Sequence, residues 1–136
     1  IGGAGFLHSY DYVGRWLARV PANYKRELET RFPGSPAGGG SDNASFVAAG
    51  VPAFSLSSNS WLYGSYTWHT NRDTYDKVVF DDVQNNAILT AILVYMACED
   101  PAKTQRDKIV LPANSRTGEP GKWPEQRSPT RKGGVD

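Results

Sequence analysis

Two histidines and one cysteine in 136 residues leave little material for metal or thiol chemistry. The single Cys98 excludes an internal disulfide and any Cys-based zinc knuckle. It falls in an apolar helical pattern, which reads as a small buried hydrophobe. No run reaches the ~18 apolar residues of a membrane span, so no transmembrane segment is expected. No stretch of like charge is dense enough to serve as the basic stripe of a nucleic-acid site, and no nucleic-acid partner is expected. There is no GxSxG elbow, P-loop, HExxH or CxxC, no compelling Ser/His/Asp triad and no internal repeat, and GGAG near the start is too short to read as a nucleotide loop. No residue is therefore assigned as catalytic.

Apolar residues are also scarce. They make up 39% of the chain, with nine Pro and fourteen Gly, below the ~45–50% of an ordinary globular domain. Charge divides along the sequence: residues 1–100 hold seven basic and ten acidic residues, residues 101–136 eight and four. The second segment, with five Pro and four Gly, cannot offset its own ordering entropy. It reads as an extended basic tail whose IVLP stretch, residues 109–112, lies as a strand or arm on another surface. The start at Ile1, with neither Met nor a leader, reads as a processed, truncated or partial sequence.

Val13, Trp16, Leu17 and Val20 form one helical stripe, with Ser9 or Asp11 as a cap. Tyr24, Leu28 and Phe32 continue an apolar face after Pro21, so residues 10–32 read as two short helices or one kinked helix. PGSPAGGGSD forbids regular structure over 33–42. NASFVAAG then reads as a short helix ended by Gly50, and VPAFSLSS as a buried strand. This order of helix, Gly-rich loop, helix and strand suggests an α/β layer. Residues 57–75 form a long loop rich in aromatics, of a length that is usually functional, and it is expected to line a site. DDVQNNAILTAILVYMACED is the clearest helix, with Asp81 and Gln84 as a capping box. Its apolar stripe is wide enough to predict packing on more than one side. Pro101 marks its end.

His69, in YTWHTNRDTYDKV, reads most simply as a half-buried packing residue beside Trp68, and functionally as a metal ligand. Asp73, four residues on, could accept from its second ring nitrogen, as carboxylates commonly do for ligating histidines. Asp42 reads most simply as a helix N-cap, and functionally as a carboxylate that orients a neighbour. His8 has no evident acidic partner and reads as structural or solvated.

GGGSDNASFVAAGVPAF followed by YTWHTNRDTYDKV resembles, in order and spacing, the carboxy-terminal part of the di-zinc aminopeptidase family, whose relatives include glutamate carboxypeptidase and glutaminyl cyclase. The matching pieces are Ser41-Asp42-Asn43, Gly50-Val51-Pro52-Ala53, His69-Thr70, Asp73-Thr74 and the helix over 82–98. The resemblance implies an α/β fold: part of a mixed-sheet sandwich with flanking helices, occupying residues 1–100, followed by the tail over 101–136. It implies zinc, two ions in the complete enzyme, with His69 binding one of them. Asp42 would support the ligands without touching the metal, and Trp61, Tyr63 and Trp68 would line the substrate pocket. Asn43 stands where the family commonly has His. The family's other ligands come from an upstream His-x-Asp, a Glu-Glu pair and a further Asp, and residues 1–40 contain no such set.

In the complete enzyme the implied chemistry is peptide hydrolysis at a chain end, with a Glu taking the proton of a zinc-bound water. This chain is then expected to be a fragment or subunit, inactive alone, whose partner is the missing upstream part of the peptidase domain or another protein chain. The second reading is a structural or accessory subunit derived from a peptidase fold. The resemblance also implies a periplasmic or extracellular setting.

Overall fold

The computed structural model describes residues 1–36 and 41–128. The described residues form four helices: α1 (Ser9–Arg19), α2 (Asp42–Ala48), α3 (Tyr63–Tyr66) and α4 (Phe80–Glu99), with 3-10 turns at Ala22–Tyr24 and Tyr75–Lys77. None of these helices is long and apolar enough to cross a membrane.

The expected mixed-sheet sandwich is not present among the described residues. Residues 1–6, bent at Gly5, pair through single bridges: Gly2 with Arg31 and Ser55, Ala4 with Gly34, and Phe6 with Lys108. The composition explains why none lengthens into a ladder. Three glycines in the first five residues weaken the central segment, and Pro33 and Pro52 remove backbone donors from its neighbours. The VPAFSLSS strand contracts accordingly to Ser55, which exchanges bonds of 2.9 and 3.0 Å with Gly2.

The periodicity of 13–20 does give α1, which buries Tyr12, Val13 and Trp16. Beyond Pro21 only a 3-10 turn follows, so Leu28 and Phe32 lie outside any helix. Phe32 nevertheless packs with Leu17, Phe54, Leu93 and Met96 around Tyr12, Val13 and Trp16. A second, smaller cluster joins Ala4, Phe6 and Val47, flanked by Ala53 and Trp123.

In α4 the expected capping box does not form. The helix begins one residue before Asp81, its N-cap is Val79, and no side chain caps it. Asp81 and Asp82 instead sit in the first turn, where negative charge complements the helix dipole. Nor is α4 enclosed: only Leu89 is buried. Val83, Val94 and Tyr95 are exposed, and so is Cys98, against the expectation of a buried thiol. Apolar periodicity makes a helix amphipathic or broader, but it does not supply the second surface.

The end of α4 is tied to α1. Asp100 accepts from Trp16 Nε1 at 2.8 Å, from Arg15 at 2.9 Å and from the Ala102 amide at 2.9 Å. These three donors hold its carboxyl down at about 2, the Ala102 amide contributing most.

Candidate functional site

The aromatic segment between Ser55 and α4 is a folded surface with α3 inside it. Three of its residues, Trp61, Leu62 and His69, have positive φ of 43°, 60° and 59°, a region that non-glycine residues occupy only where surrounding bonds hold them. Trp61 Nε1 donates to Asp82 Oδ2 on α4 at 2.6 Å. Tyr63 OH donates to Asp73 Oδ2 at 2.7 Å. Thr70 Oγ1 donates to the Thr67 carbonyl at 2.6 Å, and Tyr75 meets Phe80 edge-on at 5.3 Å. Asp76, beside Lys77 and accepting from Thr74, has its carboxyl held below the usual range, Lys77 being the main cause.

His69 is exposed, its ring stacked on Trp68 with centroids 4.0 Å apart and planes 29° from parallel. A cleft of about 460 Å³ opens against the first turns of α4, lined among others by Trp61, Tyr63, Thr67, Val78, Val79 and Val83, and His69 is not part of its lining. Trp61 and Tyr63, two of the three expected pocket residues, border this cleft. Trp68 does not, and instead backs His69.

The other expected supports lie differently. The carboxylate of Asp73 is engaged by Tyr63. As an acceptor it holds the Tyr63 phenol above its ordinary range, with burial and the negative charge adding to the effect. Asp42 is the first residue of α2 and exposed. The N-cap is Ser41, and no side chain bonds the helix start. Sequence reasoning missed two partnerships. His8 Nδ1 lies 3.2 Å from Asp11, a spacing legible in HSYD; the Trp61–Asp82 bond, across 21 residues, left no local signal.

Whether these residues fit a zinc ion is a matter of donor count. A catalytic zinc takes about three protein ligands and an open position. Among the described residues no three His, Cys, Asp or Glu side chains converge, and the His69 ring lies against the Trp68 indole. The set does not fit a complete zinc centre; His69 offers one donor.

A family model described as Peptidase family M28 matches residues 9–94. No curated protein and no solved structure matches the chain. The matched span takes in α1, α2, the aromatic surface with His69 and most of α4. Covering more than half of the sequence, that match establishes that the chain belongs to peptidase family M28, as part of a di-zinc aminopeptidase-type domain.

Proposed function

We propose that this chain is one part of an exopeptidase that hydrolyses peptides at a chain end, contributing His69 as a single metal donor and an aromatic wall to the substrate pocket. Membership of a family that is generally zinc-dependent supports this reading. The observation that carries it is His69 itself: an exposed imidazole, held at positive φ and backed by Trp68.

Trp61 and Tyr63 border the neighbouring cleft, where rigid aromatic faces suit the side chain of a bound peptide. Asp73 acts on the site through Tyr63, fixing the phenol that edges the cleft. Asp42 at the start of α2 is assigned the same supporting character. The remaining donors and the base that activates water come from residues outside these 136, so the isolated chain does not turn over peptide. A secreted or periplasmic setting belongs to the same proposal.

The lack of converging donors among the described residues equally favours a second reading, an accessory subunit built on a peptidase-derived fold. Aminoacyl-anilide hydrolysis separates these ideas from a self-sufficient enzyme. The purified chain should show no turnover with or without added zinc. Chelator-sensitive turnover by the chain alone would overturn both.

A further inference from the structure

Beyond the matched span, residues 107–123 return to the amino-terminal segment and close on it. The Gly5 amide turns to one side, donating to Pro33 O at 2.6 Å, while the Gly5 carbonyl and the Leu7 amide face the other. There Ile109 N donates to Gly5 O at 3.0 Å and Leu7 N to Asp107 O at 2.7 Å, around the antiparallel bridge of Phe6 with Lys108. The chain then reverses in a turn built on Asn114, whose amide donates to Glu119 O at 2.8 Å and whose carbonyl accepts from Gly118 N at 2.8 Å. Asn114 Oδ1 accepts from the amides of Arg116 and Thr117, a local side-chain closure of the kind Asn favours.

The returning arm presses close to the outgoing one. A Cβ on Gly121 would lie 2.5 Å from Leu111 Cβ and 2.6 Å from Pro112 O, so only glycine fits. Trp123 completes the closure: its ring meets fully buried Phe6 edge-on at 5.0 Å, its Nε1 donates to Ile109 O at 3.0 Å, and Lys108 Nζ sits 4.9 Å from its centroid. Gly5, at φ 79°, leaves the space against which the indole rests.

An unpaired backbone edge is a template for another chain. The edge of residues 5–7 is short, adjoins the cluster of Ala4, Phe6 and Val47, and would be identical in every copy. We propose that residues 107–123 are an intramolecular clasp, anchored by Trp123, that occupies the edge of residues 5–7 and keeps it from pairing with a second copy of this chain. The clasp is independent of the reading of His69, and its test involves no activity.

The test uses full-length Trp123→Ala and Gly121→Val, followed by residue-resolved amide exchange and by light scattering behind size exclusion. The concentration is one at which the unaltered chain is monomeric. The Leu7 and Ile109 amides should exchange at least about tenfold faster in both variants, as expected when a local hydrogen-bonded unit opens, while α1 and α4 keep their protection. Both variants should also associate as concentration rises. Unchanged Leu7 exchange overturns the clasp, and so does an opened clasp on a chain that stays monomeric. Loss of protection in α1 and α4 together with Leu7 overturns it too, because residues 107–123 would then be an inseparable part of the core.

Discussion

Tyr63 OH and Asp73 Oδ2 lie 2.7 Å apart. The carboxylate that the sequence offers to the imidazole four residues away accepts here from a phenol ten residues back. The bond favours the protonated phenol, so the Tyr63 pKa is raised, first through the hydrogen bond to Asp73. Asp73→Ala removes both acceptor and charge and should return Tyr63 toward ~10, the ordinary tyrosine value. Phenolate absorbance titration reads this, with Tyr63→Phe identifying the transition. A Tyr63 titration unmoved by Asp73→Ala would contradict the assignment.

Tyr12 supplies a second prediction. Its ring is buried among Trp16, Phe54 and their neighbours, and its hydroxyl has no hydrogen-bond partner among the described residues. Burial pushes its pKa up to about 12. A raised pKa means a stabilising contribution fully present below ~10 and lost as pH climbs from there through about 12. Removing an unpaired buried hydroxyl while keeping the ring costs little, so Tyr12→Phe should match the parent or gain up to ~1 kcal/mol. It should also resist alkaline unfolding better. Thermal melts at neutral pH and above ~10 check both; a loss well beyond ~1 kcal/mol would show a partner for that hydroxyl.

The link between α1 and α4 gives a third. Asp100 is held at about 2 by the Ala102 amide, Trp16 and Arg15. Its depressed pKa contributes stability that is complete above the ordinary ~3.9 of an unfolded Asp and fades as pH falls through about 2. Asp100→Asn should therefore be less stable than the parent at neutral pH, and its stability should fall less steeply between roughly pH 4 and 2. Denaturant midpoints measured across that range decide the matter. Parallel acid limbs for the two proteins would remove Asp100 from the account.

Some of this was legible in the sequence. The stripe of Val13, Trp16, Leu17 and Val20 gave α1, and the apolar run with Pro101 behind it gave α4, because a 3.6-residue period is a local property. The SDN, GVPA, HT and DT pieces gave the family, because motif order survives without knowledge of contacts. Strands were overestimated for a physical reason: VPAFSLSS has strand-like residues, but pairing needs donors on both partners, and Pro52 and the glycines of residues 1–5 break it. Exposure of Cys98, Val94 and Tyr95 could not be read from periodicity, which names an apolar face but not its cover. Around His69 the residue types were legible and their pairings were not, since Trp61–Asp82 and Tyr63–Asp73 depend on how the chain folds back.

On the proposed reading His69 gives one donor to a zinc centre that these residues do not complete. Zinc content after desalting, for the 136-residue chain and its His69→Ala variant, tests that incompleteness most directly. A site with one protein ligand of the usual three holds metal weakly, so both proteins should retain far less than one equivalent and give indistinguishable calorimetric titrations with zinc. One equivalent retained by the parent and lost in His69→Ala would contradict the account, and would place a complete metal centre within this chain.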